Sequence, residues 1–458
     1  MRRLSLRLPA PHLALGASLA CLIGCGVDEP GPHANGPSPI RGLVLVTIDT
    51  LRADHVGAYG GPVATPALDA LAAEGALIEH AVTPTPTTGP AHASLFTGLH
   101  PWRHGVLENG VPLADETATL AEHARSHGFA TAAFVSSYVL HERFEFDRGF
   151  DVYGFDPTTP LDVQSGDEEE FYSRGEVATS AAMRWLTDHT ATSKAPFFLW
   201  VHVFDPHAPY EPPTRYALEQ DAAVNLAHKR ISGGRNARQE LAREIRAYRG
   251  EVRYVDAQLG RLIDRLRILG LLEDSAVIVT SDHGEGLGDH GLLRHGRNLH
   301  EELVHVPLLV RAPGVAAGTR LTGPAQLEDL LPTALALMGV PIPDGLDGLN
   351  LLDWLRGETA ESPRAEVLGR RRRYPETPVI YFQGRWPVKW IGGLDAPGQR
   401  FDLDSDAHEM KGVKSSGPPS ALLAELARPD NAREGALLFD LEVRRALDAL
   451  GYTDSTPE

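Results

Sequence analysis

Asp49, Thr88, Asp205, His207, Asp282, His283 and His295 are the residues of this 458-residue chain whose types and placing could do chemistry. Thr88 ends a Thr/Pro/Gly-rich turn, Pro84 to Gly89, that runs into a small-residue stretch. Pro90 suits the first turn of a helix, where its missing N–H costs nothing. A helix over Ala91 to Phe96 would place the Thr88 hydroxyl just before an N-terminus, where backbone N–H groups and the dipole favour an anion. Thr87 is one register away and is the alternative nucleophile. A free Thr hydroxyl is a poor nucleophile, but a bound divalent ion and a fixed positive field favour its alkoxide. Such a group attacks a tetrahedral phosphorus or sulfur centre and forms a covalent Thr ester that water later cleaves. Asp49, Asp282 and His283, with Thr88, offer oxygen and nitrogen ligands and no thiolate. That set suits Mg, Mn, Ca or Zn and does not choose among them. One ion is the default; Asp205, His207 and His295 are the candidate ligands of a second. The plain structural alternatives are a turn cap for Asp49, an Asx-turn for Asp282, and a surface turn for Asp205 and His207. His104, Asp289, His290 and His300 read as structural.

The elements around these residues decide whether they can meet. Leu43 to Ile48 is a continuous apolar, β-branched run, which suits a buried parallel strand, and it ends at Asp49. Thr65 and Pro66 read as N-cap and first residue of a helix through about Glu74. Thr117 to His127 reads as a helix and Ala130 to Ser136 as a strand. Glu176 to Thr187 reads as a helix and Pro196 to Phe204 as a strand ending at Asp205. Gln239 to Leu269 has heptad-like apolar spacing, and Ser275 to Thr280 is a further buried strand, ending just before Asp282. Val306 to Val310 is another. Pro101 to Glu116 shows no readable pattern. Alternating strands and helices imply an α/β fold: a large mixed, mostly parallel central sheet with helices on both faces. Sites in such sheets lie at the carboxyl ends of strands, where Asp49, Asp205, His207, Asp282 and His283 all fall.

After about Ser362 the pattern becomes short strands (Val379 to Gln383, Trp386 to Ile391, Arg400 to Leu403) and helices (Leu423 to Ala427, Leu441 to Leu450). This is the expected small α+β C-terminal subdomain, residues 363–458, after a catalytic domain over 41–362. The Arg370 to Arg373 run reads as a solvated patch. Leu13 to Ile23, preceded by Arg2, Arg3 and Arg7, reads as a signal-peptide core too short to span a bilayer. It ends in Leu22-Ile23-Gly24-Cys25, which resembles a bacterial lipobox with Cys25 as the lipidated residue. An ordinary cleaved signal peptide is the alternative. The expected division is a leader over 1–25, a flexible tether over 26–40, and a location in the bacterial cell envelope, lipid-anchored or periplasmic/secreted. Both cysteines, Cys21 and Cys25, lie in the leader, so the mature domain has neither a disulfide framework nor a cysteine metal site. The net charge of −18 argues against a nucleic-acid partner. The expected partner is a small anionic ester, with membrane contact through the anchor only.

Four blocks then carry a resemblance: Val46-Thr47-Ile48-Asp49-Thr50-Leu51-Arg52-Ala53-Asp54-His55, Thr65-Pro66-Ala67-Leu68-Asp69, the Thr88 segment, and Ser281-Asp282-His283-Gly284-Glu285. In this order and spacing they resemble the sulfatase family of the alkaline phosphatase superfamily, over roughly Leu43 to Pro343. Phe401-Asp402-Leu403-Asp404-Ser405-Asp406 is similar to that family's C-terminal strand block. The resemblance implies an alkaline phosphatase-like fold, ester hydrolysis and a divalent metal. It also exposes departures. Where a sulfatase has Cys or Ser, then x-Pro-x-Arg, matured to formylglycine, this chain has Thr88 and His92. The family's late Lys falls near His295. The Lys and His of its middle block fall around Phe134 to Leu140, where neither is present. A Thr with an Asp-His pair is similar instead to phosphodiesterases, phosphonate monoester hydrolases and phosphoethanolamine transferases. Asn109 lies near where phosphonate hydrolases hold the substrate oxyanion. The resemblance thus implies catalytic roles for Thr88, His92, Asn109, His207 and His295. A head-group transferase and a non-catalytic relic are the competing functions; the transferases usually carry several transmembrane helices.

Overall fold

The structure is a computed structural model that describes residues 40–156, 171–219, 223–227, 229–230, 234–371, 379–415, 417–426, 443–445 and 447. The leader with Cys25, the tether up to residue 39 and most of the expected Leu441 to Leu450 helix lie outside the described residues.

The strands, in chain order, begin with β1 (Gly42–Ile48), β2 (Ala76–Val82), β3 (Ala130–Val135), β4 (Val152–Phe155), β5 (Phe197–Val203) and β6 (Ser275–Ser281). A two-residue pair, β7 (Gly286–Leu287) with β8 (Leu293–Arg294), forms a small hairpin. Then come β9 (His305–Arg311) and β10 (Thr319–Gln326). The main sheet has the order β10-β2-β9-β6-β1-β5-β3-β4. β9 pairs antiparallel with both neighbours, and every other pair is parallel. Every residue of β1, β5 and β6 is buried, as the continuous apolar runs require of central strands.

Alternate residues of β1 feed two cores. Leu43 and Leu45 face one with Trp200, and Val44, Val46 and Ile48 face the other. Helices cover both faces. Helices α1 (Pro66–Glu74), α2 (Thr88–Thr97), α3 (Pro101–His104), α4 (Leu120–Ser126), α5 (Gly175–Thr192), α6 (Gly234–Ile268), α7 (Glu301–Val304) and α8 (Leu330–Met338) follow in chain order. Residues of α2, α4 and α8 line the first core, and residues of α1, α5 and α6 the second.

Helices α2, α4, α5 and α6 start at other residues than the sequence expectation, whereas α1 starts at Pro66 after Thr65 as expected but is capped differently. Helix α2 begins at Thr88 itself, with Thr87 as its extended N-cap residue. Helix α4 begins later than Thr117, because Thr119 and Glu122 form a reciprocal capping box there. Thr65 precedes α1 without capping it; its hydroxyl binds Asp69 Oδ1 at 2.9 Å, and Asp256 of α6 accepts the N–H groups of Ala67 and Leu68 instead. Strands β2, β4 and β10 and helix α8 are additional to the sequence reading.

The C-terminal sheet is antiparallel: β11 (Val367–Arg370), β12 (Tyr381–Arg385), β13 (Val388–Gly392), β14 (Gly398–Asp402) and β15 (Val413–Ser415), in that order. It abuts the site segment directly, since Arg370 N donates to Pro84 O at 2.8 Å. No helix among the described residues is long and apolar enough to cross a membrane.

Candidate active site

Strand register brings the acids together. Ile48 lies opposite both Val203 of β5 and Ser281 of β6. The next residues, Asp49 and Asp282, therefore emerge level at the carboxyl edge. β2 runs parallel to β10 and ends at Val82, and the following turn delivers Thr88 at the start of α2. Thr50 is held with φ +56, a left-handed conformation that a β-branched residue rarely adopts. Its N–H reaches Asp282 Oδ1 at 3.2 Å, so the strained turn locks one carboxylate to the neighbouring strand.

Asp49, Asp282, His283 and Thr88 are essentially sealed from solvent. Ligand atoms of Asp49, Asp282 and His283 all lie within 4.8 Å of one another. His283 Nδ1 faces Gly284 O at 2.9 Å, so Nδ1 donates and Nε2 keeps its lone pair. That Nε2 lies 3.3 Å from Thr88 Oγ1 and 3.6 Å from Asp282 Oδ2. Both oxygens of Asp49 and Oδ2 of Asp282 have no hydrogen-bond partner among the described residues. Burial, then the Asp282 and Glu285 charges, push the Asp49 carboxyl well above its ordinary range. Burial also opposes ionisation of Asp282, but His283, His92 and two backbone N–H groups hold it below the ordinary value. Two buried carboxylates with unpartnered oxygens facing a bare imidazole nitrogen fit a divalent cation. An oxygen-and-imidazole set without thiolate is open to Mg, Mn, Ca or Zn.

Asn109 packs against Gly89, the residue after Thr88. Its Oδ1 accepts the Gly89 N–H at 2.7 Å, while its buried Nδ2 has no partner among the described residues. A methyl on Gly89 would lie 2.9 Å from that Oδ1, so a larger residue here would have to displace the Asn109 amide. His295 Nδ1 binds Glu285 Oε1 at 3.2 Å, and its ring lies 4.4 Å from the His283 ring. The His207 ring is 5.0 Å from His295, with Nδ1 donating to Ala208 O at 2.6 Å. Burial, then His295, lower His207 to about 3.

Two candidates sit differently. His92 donates from Nδ1 to Thr88 O at 2.8 Å and meets Thr47 Oγ1 with Nε2 at 3.0 Å. Both its nitrogens are engaged in holding the start of α2. Asp205 does not extend beside His207: a turn follows β5, and Asp205 Oδ2 accepts the Gly175 N–H at 2.8 Å at the start of α5. Arg174 lies 3.6 Å from its other oxygen.

Three residues of the site have no role assigned from the sequence, although Arg52 and Glu285 stand in the blocks that carry the resemblance. His202 is a lone histidine within the buried strand β5; its Nε2 lies 3.7 Å from Asp49 Oδ2. Glu285, fully buried, binds His295 through one oxygen and Tyr210 OH, at 2.9 Å, through the other. Arg52 bonds Glu285 O at 3.0 Å and Asp289 at 2.7 Å, which fixes the loop after Asp282.

The family model described as Sulfatase matches residues 41–340. An ulvan-active sulfatase from Formosa agariphila is 28% identical over 393 residues, covering 81% of this chain and 76% of that protein. A choline-sulfatase from Rhizobium meliloti is 28% identical over 398 residues, covering 75% and 76%. Among solved structures, a phosphonate monoester hydrolase of Agrobacterium radiobacter superposes with a TM-score of 0.69 at 23% identity, over 82% of this chain and 91% of that one. The last match speaks to the fold.

Proposed function

The chain belongs to the sulfatase family of ester hydrolases, and from that premise we propose that it is a metal-dependent phosphoric-ester hydrolase with Thr88 as nucleophile. The observation that carries the reading is the set of buried, unpartnered oxygens of Asp49 and Asp282 beside His283 Nε2, with Thr88 Oγ1 at 3.3 Å. Asp49, Asp282, His283 and Thr88 would hold one divalent ion. When bound, the ion supplies the Lewis-acid field that favours the Thr88 alkoxide and neutralises charge on the ester.

Every other contribution comes from the chain. The N-terminus of α2 and Asn109 Nδ2 stabilise the developing anionic oxygens. The Thr88 hydroxyl gives up its proton as the Thr88 Oγ–phosphorus bond forms, the bond to the alcohol breaks, and the departing oxygen takes up a proton from water beside the His207–His295 corner. Water then cleaves the Thr88 ester and regenerates the hydroxyl. Asp205, bound to Gly175 and Arg174, supports the placing of α5, and one ion suffices. Phosphorus is preferred to sulfur because Thr88 cannot become formylglycine and His92, in place of the family's Arg, is held within the fold. The lipid anchor at Cys25, the envelope location and the division at residues 25, 40 and 362 complete the proposal.

The test is metal content per chain together with turnover on aryl phosphodiester, phosphomonoester and sulfate esters. One ion and faster phosphoesterase activity are expected. Sulfate-ester turnover exceeding phosphate-ester turnover would remove the preference for phosphorus; no turnover on any ester would favour a relic binding protein.

A further inference from the structure

We propose that Glu409, from the C-terminal part of the chain, is a positioning residue that clasps both ends of the loop carrying His295. The loop leaves the site after Glu285 and returns at α7. Its near end is held at His290, whose Nε2 donates to Glu409 O at 3.2 Å. Its far end is held twice, His300 Nδ1 facing Glu409 Oε2 at 3.1 Å and Glu301 N–H donating to the same oxygen at 2.6 Å. His295 lies midway between these anchors in sequence.

The clasp is built rather than incidental. Glu409 is only 2% exposed and adopts φ +50, a left-handed conformation that costs energy for a residue with a Cβ. Its other oxygen lies 3.0 Å from Lys389 Nζ of β13, which is 1% exposed and also bonds Glu301 Oε1 at 2.7 Å. The His290 and His300 rings stack with centroids 3.6 Å apart and planes 7° apart, so the two ends of the loop also touch each other. His290 Nδ1 binds Glu302 Oε1 at 2.9 Å, so both nitrogens of this ring face acceptors and it serves as a double donor. One buried residue thereby ties the C-terminal sheet to the two ends of an active-site loop, the near end through its main-chain carbonyl and the far end through its carboxylate. A neighbouring contact adds to it: Arg230 donates to Met410 O at 3.3 Å and to Gly288 O at 2.7 Å. Glu409 is remote from the reacting atoms and acts through where it puts His295.

The kinetic arm rests on the Thr88 reading; the exchange arm does not. The full chain is compared as wild type, Glu409→Ala, Glu409→Gln, His295→Ala and the Glu409→Ala/His295→Ala pair. Turnover of bis(p-nitrophenyl) phosphate, Mn²⁺ binding and backbone amide exchange are measured on each. Displacing a catalytic group by about 1 Å costs about 10²-fold, so Glu409→Ala is expected to lower kcat by about that factor while Mn²⁺ affinity holds. Amide exchange should accelerate over residues 290–301. In the His295→Ala background the same substitution should cost less than about threefold, because coupled residues are non-additive. Glu409→Gln, which keeps the acceptor oxygen, should restore most of the turnover. If Glu409→Ala does not fold, His300→Ala opens the clasp from the loop side and should show the same non-additivity. Equal fractional losses in both backgrounds, or unchanged exchange over 290–301, would overturn the proposal. A wild-type protein inactive on every ester would overturn the Thr88 reading, and exchange would still decide the clasp.

Discussion

Asn109 shows how much a single side chain decides at this site. One end of its amide is committed to the Gly89 N–H at the start of α2, and the other is buried and unpartnered among the described residues. A fixed donor of this kind stabilises charge that appears only in the transition state. Asn109→Ala is therefore expected to lower kcat by about 10²–10³ with a small change in KM, read from steady-state kinetics on the preferred ester. A change confined to KM would show that the amide binds ground state and transition state alike. Asp49, Asp282 and His283 were legible in sequence because they terminate buried strands. His202 and Glu285 were not: a histidine inside an apolar strand and an acid two residues past a histidine have ordinary structural explanations, and only strand register shows what they face.

At the scale of elements, helix ends carry the information that sequence left open. The helix after Thr88 was expected, but its first residue was not, because a Thr-Thr-Gly-Pro run permits several starts. The His92 bond to Thr88 O and the Asn109 bond to Gly89 N select one. Likewise Thr65 has the residue type of a cap, yet Asp256, 189 residues after Ala67, accepts the N–H groups at the start of α1. A long-range cap leaves no local signature. Asp256→Ala is expected to destabilise the fold by about 1–2 kcal/mol by orphaning those donors, and Thr65→Ala by less, on denaturant midpoints. The reverse ranking would return the cap to Thr65. Strands β2 and β10 were unread because β2 mixes Glu and His into its sequence, and β10 is half exposed at the sheet edge and contains Gly and Pro.

Over the whole molecule, the main sheet supplies the candidate cation ligands and the C-terminal sheet braces the loop beside them. The brace has a pH signature. Burial opposes the Glu409 charge, but Lys389 and His300 override it and lower the carboxyl to about 2. Asp289 is depressed too, against burial, by Arg52 and Lys229. A carboxyl depressed in the folded state contributes stability that is complete above its unfolded pKa and is lost as pH falls towards the folded one. Denaturant midpoints of the metal-free protein should therefore fall as pH drops from about 4.5 towards 2, and Glu409→Gln should flatten part of that decline. A midpoint independent of pH across this window would show that these ion pairs add nothing to stability.

The central claim is that Thr88 is the nucleophile of a cation-assisted hydrolase. Its most direct measurement is kcat/KM for Thr88→Ala on phosphodiester, phosphomonoester and sulfate esters, with bound metal quantified in the same preparation. The expected result is a loss of about 10³-fold or more on every ester that the wild type turns over, with the fold intact and metal still bound through Asp49, Asp282 and His283. Turnover within about threefold of wild type in a metal-loaded Thr88→Ala protein would contradict it.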